Sequence, residues 1–326
     1  MRRTASPLAL ILLGLGVFLI VLAPMLVWYV QPQAKRTPTD VNVTSVFKGT
    51  GKYFDQQELE TKSDQDLTVT RRVLGNVAAS EKSGRAVWDV SQTIDNPKTH
   101  KLDDPRKSFQ WTTERWVTDR ETNRPVNCCK AKPKDFSGEA YLKWPFDVEK
   151  RDYTWWDSTL GGTVPLRYKG EAKVRGHEGL RFTGTVEAAR AGTRQVPGML
   201  VDRKSGQVNA EEWYSNSGLD FVVDERTGRI LYAATGPKLV LRAPGGKTDK
   251  VTLLESDKLA FTAKTQQDAV DFAKDDNDQL TMVGSTAPIG AAGAGVLCAA
   301  AGVVLVVRGR RPAAPPAGGP AHAATA

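Results

Sequence analysis

The fold class is decided by an alternating stretch, Leu180-Arg181-Phe182-Thr183-Gly184-Thr185-Val186-Glu187. Successive side chains of an extended strand point to opposite faces, so Leu180, Phe182 and Val186 share one face while polar residues occupy the other. A period of two with one apolar face is typical of an antiparallel sheet that is buried on one side and solvated on the other. The stretch therefore predicts an amphipathic strand.

Segments on both sides of this strand show the same period. They are Leu67, Val69 and Val73; Trp88, Val90 and Ile94; and a longer run from Phe109 to Val117 that carries Trp111 and Trp116. Turn residues separate these runs, which favours strands joined by hairpins over helices. The middle of the chain is therefore predicted to be a curved antiparallel sheet.

A short pattern of a β-type run, an Asp, a turn and a second β-type run occurs three times. The copies are Trp116–Val126, Leu200–Val208 and Phe221–Leu231. Asp can accept a hydrogen bond from the backbone two residues on, and Gly or Asn adopts the positive φ that closes a turn. Each copy is predicted to be a hairpin in which the Asp is structural, not catalytic.

Two apolar segments flank the β-rich region. Leu8–Val30 has no charged residue, and its 23 residues, at about 1.5 Å each, can cross a hydrocarbon core of roughly 30 Å. Ala287–Val307 is also uncharged and is richer in Gly and Ala. The predicted fold class is therefore α+β, with a mainly antiparallel β ectodomain, Gln31–Thr286, between two terminal transmembrane helices. A cleaved signal peptide is the alternative for the first segment, although its apolar run exceeds the usual length of about 7–15 residues.

Basic residues at the two ends predict the orientation in the membrane. Arg2 and Arg3 precede the first apolar segment, and three arginines at 308, 310 and 311 follow the second. The positive-inside rule then places residues 1–7 and 308–326 in the cytoplasm, the latter as a disordered tail rich in Pro and Ala. We therefore predict a two-pass protein of the cell membrane with an extracytoplasmic domain. These arginines supply five of the eight excess positive charges, so no nucleic-acid partner is expected.

Helical spacing identifies one further helix and a contact between the two membrane segments. Apolar residues recur from Thr265 to Leu280, which predicts a helix packed on the sheet or lying above the bilayer. The second apolar segment carries small residues four apart, namely Gly290, Ala294, Cys298 and Gly302. Small residues let helix backbones approach closely, so this stripe is predicted to contact the first helix at Gly14 or to mediate self-association.

Cys128 and Cys129 are adjacent and would face an oxidising compartment in this orientation. They could close a vicinal disulfide that serves as a rigid turn or a redox element. They could equally be two thiols in a loop, or one of them could be bonded to another chain. The sequence leaves these alternatives open.

The sequence contains no motif that assigns catalysis. The three histidines, His100, His177 and His322, are far apart, and no zinc-binding pattern, nucleophile elbow, phosphate-binding loop or dinucleotide fingerprint is present. We therefore predict no catalytic residue, no metal and no cofactor, and expect the protein not to be an enzyme. A hydrolase with a site assembled from distant segments is the weakest alternative.

The aromatic residues carry the remaining hypothesis about a site. Seven tryptophans lie in the predicted ectodomain, namely Trp88, Trp111, Trp116, Trp144, Trp155, Trp156 and Trp213. They could simply fill the core of a sheet that is covered on one face. Alternatively, Tyr153, Trp155 and Trp156 line a groove for an acyl chain or a glycan, since a curved sheet can enclose an apolar concavity.

The run Trp144–Asp157 resembles a family of actinobacterial envelope proteins, the PorA family. The likeness rests on Pro145-Phe146-Asp147, the Lys, Tyr and Asp that follow, and Gly179-Leu180-Arg181-Phe182. The elements Asp119–Thr122 and Val223–Gly228 and the two apolar ends are also similar, so the resemblance covers nearly the whole chain. It implies an envelope membrane protein, and some relatives are labelled porins, but it assigns no chemistry to particular residues.

The favoured hypothesis is a membrane-anchored envelope protein whose ectodomain binds or conveys lipid or cell-wall material. A scaffold or signalling ectodomain and a porin-like pore are the alternatives. The expected partners are the lipid bilayer and a lipid or glycan ligand, and the sequence does not define the oligomeric state.

Overall fold

A computed structural model of the chain describes residues 7–96, Thr99, 110–204 and 206–309. Contacts divide the chain into two compact units, one formed by Met1–Ala34 with Gln279–Ala326 and the other by Lys35–Asp278. His100, the predicted strand residue Phe109 and the Pro- and Ala-rich tail lie outside the described residues.

The first unit is helical. It contains α1 (Pro7–Met25), a π-helical turn (Leu26–Val30), α2 (Gln31–Ala34), a second π-helical turn (Met282–Thr286) and α5 (Ala287–Gly309). Two helical stretches, Pro7–Ala34 and Ala263–Arg308, are long and apolar enough to cross a membrane. Large apolar side chains such as Ile11, Phe18 and Leu297 remain exposed on them, an arrangement that suits contact with hydrocarbon.

Helices α1 and α5 pack closely, through small residues that match the expected ones only in part, since Gly302 belongs to the predicted stripe. A Cβ atom on Gly16 would lie 2.6 Å from the backbone nitrogen of Ala299, whereas one on Gly14 would meet nothing within 4 Å. On α5 the close approaches involve Gly295 and Gly302, while Gly290 is open. The predicted contact at Gly14 is therefore wrong by half a helical turn, because Gly14 and Gly16 lie on opposite sides of α1.

The second unit is built on one antiparallel sheet of eleven strands. They are β1 (Asn42–Asp55), β2 (Glu60–Gly75), β3 (Ala86–Asp95), β4 (Gln110–Thr118), β5 (Tyr153–Asp157), β6 (Gly162–Val174), β7 (His177–Pro197), β8 (Gln207–Val223), β9 (Ile230–Arg242), β10 (Asp249–Glu255) and β11 (Leu259–Phe261). The order is β4-β3-β2-β1-β10-β9-β8-β7-β6-β5, and the short β11 pairs with β1 and β9. The predicted α+β class with a mainly antiparallel sheet between two apolar terminal helices is confirmed.

One core contains inward side chains from every strand, and we infer from this that the sheet is curved. Leu67 of β2, Trp116 of β4 and Phe182 of β7 all belong to it and are almost fully buried. Residues 119–152, here called the connecting segment, join the two edge strands β4 and β5. This segment pairs with β4 at Lys132 and with β5 at Ala140, so it covers the gap between the two edges of the sheet.

Only the third of the three predicted hairpins forms as expected, with β8 and β9 joined by the turn at Asp224–Gly228. In the second copy, β7 and β8 do pair as a hairpin that ends at Pro197 and Gln207, but residues 198–201 form a 3₁₀ turn, so the predicted first run belongs to the connection and not to a strand. The first copy has a single bridge, between Thr118 and Pro125. The chain then turns at Cys129 and Lys130, which both have a positive φ, before it pairs with β4 again at Lys132, so no continuous second strand forms.

Two helices cover parts of the sheet domain. The predicted helix exists as α4 (Ala263–Thr281), and the hydroxyl of Thr262 caps its start by accepting the Thr265 N–H. Val270 and Ala273 pack on Val222 and Leu231 of the sheet, which confirms the sheet-packed alternative. The short α3 (Val77–Ser83) was not expected and is capped by the side chain of Asn76.

Candidate functional site

The concave face of the sheet encloses a cavity of about 380 Å³. This volume falls within the range of roughly 300–1,000 Å³ that is usual for small-molecule sites. Its apolar wall comes from β1, β2, β3, β8, β9, β10 and β11 and includes Phe47, Val69, Val90, Ile94, Leu219 and Leu254. Polar side chains of β2, β3, β4, β5, β7, β8 and β9 and of the β5–β6 turn line the remainder. The cavity therefore has an apolar part and a polar part.

The two tryptophans of β5 lie at this cavity. Trp155 and Trp156 both line it and are almost completely buried. The ring of Trp155 stacks obliquely on Phe221 at 4.4 Å between centroids. Trp156 contacts Phe136 of the connecting segment at 5.0 Å. The two rings thus fill the core and also form part of the cavity wall.

Tyr153, the third predicted groove residue, is not brought to the cavity. It is buried against Phe182, with 5.6 Å between ring centroids, and Arg151 lies over its other side at 4.0 Å. Its hydroxyl accepts the backbone N–H of Glu149. Tyr153 shares a face of β5 with Trp155, but it is the first residue of the strand and lies beyond the residues that line the cavity.

Two tyrosine hydroxyls organise the polar part of the cavity. Tyr214 of β8 donates to a carboxylate oxygen of Asp157 at 3.0 Å, and the other oxygen of that carboxylate accepts two backbone N–H groups of the β5–β6 turn at 2.9 Å. Tyr141 of the connecting segment donates to Glu114 of β4 and accepts from Ser158 at 2.8 Å. The connecting segment, β4 and β5 are thereby linked across the cavity.

Burial and a neighbouring carboxylate raise the pKa of both phenols. For Tyr141 burial is the main cause, and Glu114 adds to it. For Tyr214 burial is again the main cause, followed by the charge of Asp157. Because the neutral form is favoured in each case, both hydroxyls keep their protons and act as hydrogen-bond donors to these carboxylates.

Arg71 and Gln92 are cavity residues that were not predicted from the sequence. They are direct cross-strand partners on β2 and β3, and Arg71 donates two hydrogen bonds to the Gln92 side-chain oxygen, at 2.8 and 3.0 Å. A signal for them was present in the sequence. Each is the one polar residue among the apolar residues of its strand's inward face, as Arg71 is between Val69 and Val73. Inward polar positions often mark function.

Cys128 and Cys129 are joined by a disulfide bond. They lie against Val87, Val117 and Ala131, and the Cys128 carbonyl accepts the Ala131 N–H at 2.8 Å. Neither cysteine is among the residues that line the cavity. The pair thus forms a turn of the connecting segment, away from the candidate site.

A second polar cluster lies at the β8–β9 turn. Asp224 accepts hydrogen bonds from the backbone and hydroxyl of Thr227, from Asn277 of α4 at 3.0 Å, and pairs with the His177 ring at 2.7 Å. Burial acts to raise the pKa of Asp224, but the hydrogen bonds from Thr227, His177 and Asn277 outweigh it and hold the pKa below its ordinary value. This arrangement fastens α4 to the sheet.

Replacing Asp224 by Asn is expected to flatten the loss of stability on acidification. The pKa of Asp224 in the folded chain is depressed, so its stabilising effect is fully present above about pH 4 and is lost as the pH falls through the depressed pKa. Denaturant titrations of the full chain between about pH 5 and about pH 2 measure this slope. Asp220→Asn, a more exposed carboxylate on β8, is the control, and identical slopes for wild type and Asp224→Asn would contradict the expectation.

The groups around the cavity are those of a small-molecule binding site. Over the part of the chain that the structure describes, no three His, Cys, Asp or Glu side chains are placed to share a metal ion. The cavity offers aromatic rings, an apolar wall, two guanidinium groups, three carboxylates and several hydroxyls, and such groups can orient an amphipathic molecule.

Comparison with known proteins places the whole architecture in one family. A search of curated proteins finds no match to the chain. The family model described as porin PorA matches residues 8–304, a range that spans the first apolar helix, the complete sheet domain and most of α5. The chain belongs to the porin PorA family.

Proposed function

We propose that the sheet domain binds, and through its cavity conveys, an amphipathic lipid or a lipid-linked cell-wall molecule outside the membrane. The observation that carries this proposal is the cavity itself, about 380 Å³ and lined both by aliphatic and aromatic side chains and by polar groups. The apolar helices at both ends of the chain support an anchored, two-pass arrangement with cytoplasmic termini. In this proposal the protein carries its ligand without chemically changing it.

The cavity combines apolar and polar side chains in one lining. Phe47, Leu219 and Leu254 offer an apolar surface that gains roughly 25 cal/mol for each Å² it buries against a hydrocarbon chain. Free polar molecules would gain nothing from that surface. A wholly apolar molecule would cover the polar groups of the lining without offering them hydrogen bonds, which is costly in a buried site. An amphiphile suits both kinds of group.

A substitution at the cavity wall tests the proposal. Thr112 of β4 lines the cavity and is exposed, so Thr112→Trp narrows the cavity with little risk to folding. We expect the full chain purified from its own membranes to carry a bound amphiphile, and Thr112→Trp to retain about tenfold less of it, because a misfitting group costs about 1–3 kcal/mol. Mass spectrometry of extracted small molecules measures the amount.

Thr113→Trp is the matched control, because the adjacent side chain on β4 is exposed and does not line the cavity. It should retain as much amphiphile as the wild type. Equal retention by Thr112→Trp, or wild-type protein that carries nothing, would contradict the proposal.

A pore is the second candidate, favoured by the family description as a porin. The sheet interior offers little room for a water-filled channel, since Trp116, Trp144 and Phe182 are fully buried within it. A pore would therefore have to form between the membrane helices of several copies. Ion conductance of the purified protein in planar bilayers, unaffected by Thr112→Trp, is the result that would favour the pore over the carrier.

A further inference from the structure

We propose that Arg71 binds the anionic headgroup, a carboxylate or a phosphate, of the molecule held in the cavity. This inference rests on the proposed function and names the chemical class of its ligand. It is carried by the position of Arg71, by the absence of an ion pair to it among the described residues and by the apolar side chains beside it.

Arg71 stands at an inward position of β2 between two buried valines, Val69 and Val73. A charged group on the inner face of a sheet is normally paired with an opposite charge. Within the described parts of the chain, however, Arg71 forms no ion pair. Its hydrogen bonds go to one neutral acceptor, the Gln92 side-chain oxygen. A guanidinium carries five N–H groups, so most of its donors remain open to a ligand in the cavity.

Two carboxylates, Glu114 and Asp157, line the same cavity, but neither forms an ion pair with Arg71 in the described parts of the chain. Glu114 accepts the hydroxyl of Tyr141. Asp157 accepts two backbone N–H groups and the hydroxyl of Tyr214. Arg194, the other arginine that lines the cavity, is already paired with Glu212. Arg71 is therefore the cavity arginine that no carboxylate contacts within the described chain.

The surroundings of Arg71 favour an amphiphile over a free anion. Its guanidinium lies 5.8 Å from the ring centre of Phe47, and Val69, Val90 and Ile94 line the same cavity. A planar guanidinium can hold a carboxylate or phosphate through two parallel hydrogen bonds. Gln92 fixes the orientation of that plane from the neighbouring strand. A headgroup bound here would direct its hydrocarbon chain along the apolar wall.

Photolabelling of the full chain in lipid nanodiscs tests this inference. The probes are a long-chain fatty acid with a terminal diazirine, its methyl ester, and an alkyl phosphate of equal length, and the labelled peptides are identified by mass spectrometry. In the wild type, both anionic probes should label cavity peptides at concentrations about 10- to 100-fold lower than the ester, since hydrogen bonds to charged groups are worth this much. Arg71→Gln should label with all three probes only at the ester's concentration, and Arg71→Lys should keep part of the preference.

Arg72→Gln is the matched control, since Arg72 is the next residue of β2 and is exposed. It should behave as the wild type does. Unchanged labelling of Arg71→Gln by the ester shows that this variant is folded. Equal labelling of the wild type by acid and ester, or a preference that survives in Arg71→Gln, overturns the inference. Competition by acetate or inorganic phosphate as strong as by the fatty acid would assign the site to free anions instead. If even the ester fails to label cavity peptides, the proposed function itself fails.

Discussion

Replacing Trp144 by Ala is expected to lower the free energy of unfolding of the sheet domain by about 3–5 kcal/mol, the usual cost of removing a large buried aromatic side chain. Trp144 is completely buried. Its ring lies 5.1 Å from that of Trp155, 5.7 Å from Phe182 and 5.4 Å from Phe221. These rings come from three different strands, so the substitution opens a hole where the connecting segment meets the sheet.

Denaturant titration of the full chain in micelles, followed by circular dichroism, measures this effect. Trp213→Ala is the control, because Trp213 is only partly buried and lies under Arg242 at 4.2 Å. Trp213→Ala should lower the free energy of unfolding by about 1 kcal/mol, as is typical of single substitutions. If Trp144→Ala costs no more than Trp213→Ala, the connecting segment is not part of the core.

Replacing Gly228 by Ala is expected to lower the free energy of unfolding by about 3 kcal/mol. The loss comes from the backbone conformation and from contacts with backbone atoms, not from the loss of a side chain. Gly228 has a φ of 69°. A residue with a Cβ atom adopts this left-handed conformation at a cost of about 1–2 kcal/mol. A Cβ atom there would also lie 2.2 Å from the carbonyl oxygen of Pro145 and 2.3 Å from that of Trp144. Overpacking of this kind adds about 1–3 kcal/mol, because the connecting segment is hydrogen-bonded to this turn and must be displaced.

Gly176→Ala separates the two contributions. Gly176 also has a positive φ, 80°, in the β6–β7 hairpin, but a Cβ atom there would meet nothing within 4 Å. It should show only the conformational cost of about 1–2 kcal/mol. The same titration of both variants gives the difference. Equal losses would mean that the connecting segment does not press on the β8–β9 turn.

The sequence was sufficient to predict the sheet and the apolar ends. Alternation such as Leu180, Phe182 and Val186 marks the buried face directly, because a strand has a fixed period of two. The period of 3.6 of an α-helix likewise locates α4 from the spacing of its apolar residues. The contact between α1 and α5 was placed at Gly14 instead of Gly16, because both glycines fit a close approach and only the rotation of the helices decides between them.

The cavity was only partly predictable. Trp155 and Trp156 were identified from their aromatic character, but Tyr153 was grouped with them although it packs on Phe182. Arg71 and Gln92 come together only through the register of β2 and β3, which the separate stripes do not specify. The connecting segment was unpredictable for a different reason, since it has few regular elements and its position depends on tertiary contacts such as those of Trp144.

An experimental density map of the full chain purified from its own membranes tests the central claim most directly. We predict elongated density for a bound amphiphile inside the sheet, in contact with Trp155 and Trp156 and ending at the guanidinium of Arg71. A cavity that is closed by its own side chains, or one whose contents show no connection between the apolar wall and Arg71, would contradict it.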